Sequence, residues 1–425
     1  MELQLLLTGD ELMAGDTIDS NSAMIAKALQ PMGIRIHRRV TVGDDTQQLA
    51  DEIAFISKTA DVLIVNGGLG PTVDDLTAEV LAKVADEPIC ENPDALAHLQ
   101  HWSNERGYPL NKANLKQAQL PQSCQVIPNA TGSAVGFWQR INNCIVICTP
   151  GVPSELRNMI NPHITELIGR HFKIENKTST QRFRLFGIGE STLQEVITTK
   201  LPEWPSEVGL GFRANMPIVE VKLTITDQAH TNLQQQCAKD IKALFGDAIL
   251  GEGDITLAEA LLDALNSKQQ TVTFAESCTG GQIAAEMTKV AGSSAVFKGS
   301  FVTYSNELKQ NFLGVSEDTL KSDGAVSQAT VEQMAAGALK AAHSDWVVAV
   351  SGVAGPGGGS DDKPVGTIWL AWGNAEQIRS THLFIPGQRQ FIQTLVTALA
   401  LDLVRRGALG LEAEPQYLRQ RAANR

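Results

Sequence analysis

The sequence predicts an α/β chain: a doubly wound amino-terminal domain, a small α+β middle domain and a carboxy-terminal α/β domain. Three observations carry that expectation. Apolar runs with the character of buried strands, Leu3 to Thr8, Asp61 to Val65 and Trp346 to Val350, alternate with segments whose apolar residues recur at helical spacing. That is the pattern of parallel sheet covered by helices on both faces. The chain has 425 residues, more than one ordinary hydrophobic core accommodates, so two or three domains are expected. Glycine-rich loops follow two of the apolar runs, where open α/β sheets bind ligands.

Composition narrows the function classes. A hydrophobic content of 43% with 19% charged residues fits a soluble globular protein. The formal net charge of −12 argues against a non-specific nucleic-acid or anionic-membrane surface. Anionic small molecules stay open, because backbone N–H groups alone can build a phosphate site. The cysteines, Cys90, Cys124, Cys144, Cys148, Cys237 and Cys278, are scattered. Strand alternation in NNCIVICTP puts Cys144 and Cys148 on one face, so buried free thiols are expected rather than a disulfide or a zinc site. The opening MELQLLLTGDEL lacks a basic n-region and reads as a first strand, not a signal peptide. No stretch approaches a membrane span, and a cytoplasmic protein is expected.

The first domain is assigned to residues 1–170. After the strand Leu3 to Thr8, Gly9 to Leu12 reads as a loop, and a helix starts at Ser20 or Asn21 with Ile25 and Leu29 on one side. Ile34 to Val42 alternates as a strand, a helix runs through Ile53 and Ile56, and Asp61 to Val65 is the third strand. It ends in Asn66-Gly67-Gly68-Leu69-Gly70-Pro71-Thr72-Val73-Asp74-Asp75-Leu76-Thr77. Three glycines let backbone approach a phosphate closely. Asp74 and Asp75 are expected to open the next helix. There they complement its dipole or hold a divalent cation against a diphosphate. Farther on, Thr131-Gly132-Ser133-Ala134 precedes a strand from Val135, Asn142-Asn143 makes a hairpin turn, and Pro150 to Glu155 leads into another helix.

Together GDEL with Asp19 and Asn21, GGLGPTVDDLT, TGSAVG and PGVPSEL resemble the amino-terminal domain of the competence/damage-inducible protein CinA family. That domain is similar to molybdopterin-binding domains. The resemblance spans roughly Leu3 to Ile160 and implies metal-dependent hydrolysis of ADP-ribose at its diphosphate. The implied site draws on Asp10, Asp19, Asn21, Gly67, Gly68, Gly70, Thr72, Thr77, Thr131 and Ser133, with Asp74 and Asp75 on the metal. The sequence carries no Nudix-type carboxylate box, so these loops would do the chemistry.

Residues 171–253 read as the α+β domain. Arg182 to Phe186 is a strand, Gly187 to Ser191 starts a helix through Leu193, Val196 and Ile197, Val219 to Thr226 alternates, and a helix follows from Asn232 to Leu244. Glu190, Arg213 and Lys222 lie near element ends, either as solvated charges or as groups completing the first site. The family resemblance, which includes the GIGES turn, adds Glu190 to that site.

Glu252-Gly253-Asp254 reads as the linker into a third domain, 254–410. Its centre is TVTFAESCTGG, Thr271 to Gly281. Thr271 to Ala275 is a short strand, while Ile283, Ala284, Met287 and Val290 define a helix, so Glu276 to Thr279 occupy a tight turn. The N–H groups at the helix start, around Thr279, Gly280 and Gly281, are expected to be open to an anion or oxyanion. The Ser277 hydroxyl and Cys278 thiol are both nucleophile candidates, and the thiol ionises more readily. A plain glycine-tightened turn is the bland alternative. In FVTYSNELK, a strand-end Tyr304 precedes Lys309, and Trp346 to Val350 ends in Ser351 and the glycines Gly352 to Gly359. All three strand ends should converge at one sheet edge. No histidine occupies these loops, so Lys309 serves as base if burial lowers its pKa, with Tyr304 relaying or positioning the proton. Strands at Gly366 to Trp372 and Gln377 to Ile385 and a helix from Gln390 to Arg405 close the domain. The charged tail, 411–425, is expected to be mobile.

TFAESCTGG, GSFVTYSNELK, VSGVAGPGGG, KPVGTIWLAW and PGQR, in order over Leu257 to Ala408, resemble the nicotinamide mononucleotide (NMN) amidohydrolases. The resemblance implies Ser277 as nucleophile, Lys309 as its base and Tyr304 as an assisting hydroxyl. It places Ser351, Gly352, Gly355, Gly357 and Gly358 around the substrate and Arg389 near its charged groups. Relatives often carry a further arginine where this chain has Gln393. The implied reaction converts NMN to nicotinic acid mononucleotide and ammonia without a cofactor, in a homodimer. Three readings follow: a two-site enzyme, a deamidase whose first domain only binds a nucleotide or pterin-like ligand, or a non-catalytic adaptor in DNA uptake or damage response. The acidic composition counts against direct nucleic-acid contact.

Overall fold

Leu3, Leu5 and Leu7 pack on one face of a six-stranded sheet and Leu6 on the other, which is why the first strand carries leucines on both faces. The computed structural model describes residues 1–173, 178–411 and 417–418. They form two units, 1–179 with 226–228 and 180–225 with 229–425.

In the first unit the strands are β1 (Leu3–Thr8), β2 (Ile36–Val42), β3 (Val62–Asn66), β4 (Ile89–Glu91), β5 (Gln119–Pro121), β6 (Gln125–Ile127), β7 (Gly136–Ile141) and β8 (Cys144–Thr149). The main sheet has the order β2-β1-β3-β8-β7-β6, and β4 pairs with β5 apart from it. β2, β1, β3 and β8 run parallel, whereas β7 and β6 are antiparallel additions. Helices Thr46–Thr59 and Thr77–Ala85 cover one face through Leu49, Ile53, Val80 and Leu81, and Asn21–Leu29 and Pro153–Met159 the other through Ile25, Leu156 and Met159. Two sequence expectations change. The expected loop at Gly9 to Leu12 contains a short helix, Asp10–Ala14. Asp74 and Asp75 do not open a helix, because the next helix begins at Thr77 and Thr72 folds the preceding residues into a turn on Asp75.

The second unit contains β9 (Ser179–Phe186), β10 (Gly209–Asn215), β11 (Ile218–Ile225) and β12 (Ile249–Glu252) in the order β10-β11-β9-β12. Helices Glu190–Lys200 and Thr231–Phe245 pack Leu193, Ile197, Cys237 and Ile241 on this sheet. Glu252, expected in a linker, instead ends a strand paired with β9. A five-stranded sheet follows, from β13 (Val272–Glu276), β14 (Phe297–Val302), β15 (Trp346–Gly352), β16 (Thr367–Gly373) and β17 (Ile378–Phe384), in the order β14-β13-β15-β16-β17. β14, β13 and β15 are parallel, and β16 and β17 continue antiparallel. Helices Leu257–Lys268 and Arg389–Leu409 cover one face, and Gln328–Ala342 covers the other.

Phe186 and Leu250 share the core of this sheet. Buried Asp402 pairs with Arg405 and Arg406, and both guanidiniums donate to the carbonyl of Asp247. The expected mobile tail is corrected at Tyr417 and Leu418, which are buried, with the Tyr417 hydroxyl donating to the carbonyl of Ile188. The rest of that tail, 412–416 and 419–425, lies outside the described residues. All six cysteines are free. Among the described residues no helix is long and apolar enough to cross a membrane.

Candidate active site

Parallel pairing sets Glu276 opposite both Val302 and Val350, so the segments after β13, β14 and β15 leave the sheet at one edge. Main-chain bonds fix that edge: Ser277 N–H donates to the Val350 carbonyl at 3.1 Å and Thr303 N–H to the Glu276 carbonyl at 2.9 Å. Gly280 and Gly281 take φ of +63° and +99°, values that side-chain-bearing residues rarely adopt, and turn the chain into helix Gln282–Thr288. Ser277 is thereby held at a sharp strand-to-helix turn.

Lys309 reaches it from helix Asn306–Leu313, which is capped by the Ser305 hydroxyl. Its side chain is 1% exposed. Nζ lies 3.0 Å from Ser277 Oγ, 2.7 Å from the Thr303 carbonyl and 3.2 Å from the Tyr304 carbonyl. An ammonium donates to all three oxygens. A neutral amine keeps both carbonyl bonds and turns its lone pair to the Ser277 hydroxyl, which is the arrangement a general base needs. Among the described residues no carboxylate pairs with Lys309, and burial pushes its pKa down to about 8. Cys278 sits in the apolar core, and burial pushes its thiol up to about 12. The hydroxyl, not the thiol, faces the amine.

Several expected contacts take a different form. The helix-start N–H groups of Gly281, Ile283 and Ala284, with the Thr279 hydroxyl, all donate to the Glu276 carboxylate, so they are not open to an anion. The N–H of Gly280 closes a turn on the Ser277 carbonyl. Those of Cys278 and Thr279 donate to no protein acceptor among the described residues. Tyr304 supports Lys309 through its carbonyl. Its ring is 63% exposed, and its hydroxyl bonds to no described residue. The chain turns just after β14, aiming main chain inward and the ring outward. Buried Ser351 donates to the Ala325 carbonyl at 2.7 Å, and Gly352 ends β15. Arg389 donates to the Gly355 carbonyl at 2.9 Å and so braces the glycine loop, in which Gly357 and Gly358 are exposed. Gln393 donates to the Cys278 carbonyl at 2.8 Å, bracing the turn from behind. Sequence reasoning missed the role of Glu276. The signal was a carboxylate just ahead of a glycine-started helix with no other capping side chain.

In the first unit, Asn66 at the end of β3 donates to Thr149 Oγ1 at 3.0 Å and the Pro150 carbonyl at 2.7 Å. Asn21 donates to Asn66 Oδ1 at 2.9 Å and the Gly151 carbonyl at 2.6 Å, so this buried pair joins three of the expected motifs. A Cβ on Gly67 would meet the Thr8 carbonyl oxygen at 2.6 Å, and one on Gly68 would strike the hydroxyl of Thr77, which donates to the Gly67 carbonyl. Gly70 abuts Asp75 in the same way. Asp10 and Asp44 exchange N–H to carboxylate bonds at 3.1 Å. Asp19 accepts from Ser22 N–H and pairs with Arg39. Thr131 is tied to Asn129, with Ser133 in the same loop. Thr72 hydrogen bonding holds the exposed Asp74 carboxyl below its usual range. Among the described residues no group of three or more His, Cys, Asp or Glu is placed to hold a metal ion. Asp74 and Asp75 offer two carboxylates only. Asp75 already accepts from Thr72, so a cation there would take most of its ligands from water and a diphosphate. Glu190 starts a helix of the other unit.

These features define a chain with a molybdopterin-binding-like α/β unit followed by an α/β domain bearing a buried serine–lysine pair. Residues 4–170 match the family described as "Probable molybdopterin binding domain", and 254–408 that described as "CinA C-terminal domain". The chain belongs to the CinA-like family. A CinA-like protein of Colwellia psychrerythraea is 46% identical over 424 residues, covering 99% of this chain and 98% of its own length. One from Shewanella piezotolerans is 39% identical over 410 residues, 96% of each chain. Among solved structures, competence/damage-inducible protein CihA of Agrobacterium tumefaciens is 40% identical, matching 37% of this chain and 94% of its own with a TM-score of 0.35.

Proposed function

We propose that the carboxy-terminal domain hydrolyses the carboxamide of NMN to nicotinic acid mononucleotide and ammonia. The observation that carries this reading is the 3.0 Å contact between Ser277 Oγ and a buried lysine whose other hydrogen bonds go to carbonyls alone. Neutral Lys309 takes the hydroxyl proton as Oγ attacks the amide carbon. The N–H groups of Cys278 and Thr279 receive the oxyanion. Lys309 then returns the proton to the leaving nitrogen, ammonia departs, and Ser277 carries the acyl group. Water, deprotonated by Lys309, attacks the ester, releasing the acid and restoring the serine. In this reading the exposed Tyr304 ring stacks on the pyridine, and the guanidinium N–H groups of Arg389 not used on Gly355 bind charged substrate groups. An assay of ammonia release from NMN by the wild type and by Ser277→Ala tests this: activity in the first and none in the second is expected.

For the first unit we propose hydrolysis of ADP-ribose at its diphosphate. The glycine turn packed tightly on Thr8 and Thr77 at the end of β3, followed by two carboxylates on one turn, supports that reading. A divalent cation on Asp74 and Asp75 would neutralise diphosphate charge, while the Asn21–Asn66 pair would anchor the start of the glycine loop. Loss of ADP-ribose cleavage in Asp74→Asn with Asp75→Asn, amide hydrolysis persisting, is the expected result.

A further inference from the structure

Glu276 is fully buried, and its carboxylate accepts five hydrogen bonds. Oε2 takes the Thr279 hydroxyl at 2.8 Å and the N–H groups of Gly281 and Ile283 at 3.0 Å. Oε1 takes the N–H of Ala284 and the hydroxyl of Ser300, each at 3.0 Å. No lysine or arginine pairs with it among the described residues, so donors alone offset the cost of burying the charge. Those donors belong to three segments: the turn after Ser277, the helix behind it, and β14.

The β14 bond gives the group a reach that a helix cap lacks. Ser300 lies on the strand that runs on into Thr303 and Tyr304, whose carbonyls hold Lys309. The Glu276 carbonyl also accepts from Thr303 N–H. One residue therefore ties the backbone that presents the hydroxyl to the backbone that presents the amine. By consuming the helix-start N–H groups it also leaves those of Cys278 and Thr279 as the open donors beside Ser277.

We infer that Glu276 is a positioning residue that holds Ser277 and Lys309 in register, beyond any role as a helix cap. The inference rests on the Ser277–Lys309 reading and deepens it. Register matters because small misplacement of reacting groups is costly in rate. A cap alone contributes stability and leaves the rate below the unfolding temperature untouched.

The test uses the full chain and the rate at which a fluorophosphonate probe labels Ser277, read by intact mass with Ser277→Ala as blank. This readout does not depend on which amide is the substrate. Glu276→Gln sets an amide N–H₂ against Ala284 N–H, and its labelling rate should fall by at least about thirtyfold. The pH midpoint of labelling should stay at the wild-type value. Ser300→Ala removes one donor, four remaining, and touches neither Ser277 nor Lys309. Its labelling should slow about fivefold, again with an unmoved midpoint. On NMN, both variants should lose kcat with KM within about twofold. If Glu276→Gln does not fold, Ser300→Ala decides alone. Wild-type labelling rates in a folded variant with a lowered thermal midpoint would reduce Glu276 to a cap and overturn the inference. A midpoint moved by more than about half a pH unit would overturn it too, because Glu276 would then act through the charge on Lys309. Failure of the wild type itself to label at Ser277 would instead remove the nucleophile reading on which the inference stands.

Discussion

Lys309→Met keeps the apolar stem but removes the amine, and its effects on rate and on stability follow from one number. With Lys309 titrating at about 8, roughly a tenth of it is neutral at pH 7. Wild-type kcat/KM on NMN should therefore rise about tenfold per pH unit below 8 and level off above it. The variant should lose about 10²- to 10⁴-fold in kcat, and the acid limb should vanish with the base. Stability runs the other way. Burial lowers the pKa of Lys309 from 10.5 to about 8, so between those values the folded state binds fewer protons than the unfolded state. Stability then rises with pH across that window, and below it the folded state bears the full cost of the charge, about 3 kcal/mol. The substitution relieves that cost at pH 7 and leaves the Thr303 and Tyr304 carbonyls without a donor, a penalty of about 1–3 kcal/mol that does not depend on pH. Measured against the wild type by urea denaturation, the variant should lose about 2.5 kcal/mol of relative stability between pH 7 and pH 10. A surviving acid limb in the variant, or a stability difference flat with pH, would refute the assignment of Lys309 as the buried base.

The other expectations are independent of that one. Chelation with EDTA should stop ADP-ribose cleavage and leave ammonia release from NMN within about twofold, and equal loss of both would contradict separate chemistries. Gly67→Ala forces a side chain onto φ of +114° and against the Thr8 carbonyl, so ADP-ribose affinity by calorimetry should fall about tenfold or more. Asp402→Ala strands two buried guanidiniums, and urea denaturation of the second unit should register a loss of about 3–5 kcal/mol.

Much of this architecture is legible in the chain because its strands are buried on both faces. Runs such as LQLLLT and VVAVS have little choice of conformation, and glycines mark their ends. β10 is harder, since Gly209 to Asn215 is short of apolar alternation and lies half-exposed, held by pairing with β11. Tyr417 and Leu418 escape periodicity because two residues bury themselves inside an otherwise charged tail. At the site, spacing was enough to bring Ser277 and Lys309 to one edge, for parallel neighbours must end together. Spacing did not reveal which atoms of each residue are used. Tyr304 contributes a carbonyl where a hydroxyl was expected, and Glu276 claims the N–H groups that the turn was expected to leave open. Such choices depend on the direction in which main chain leaves a strand, and residue identity does not encode that locally.

The most direct measurement compares ammonia and nicotinic acid mononucleotide released from NMN by the wild type, Ser277→Ala and Cys278→Ala under one set of conditions. Product from the wild type and Cys278→Ala, with none from Ser277→Ala, is the predicted result. An active Ser277→Ala beside an inactive Cys278→Ala would contradict it.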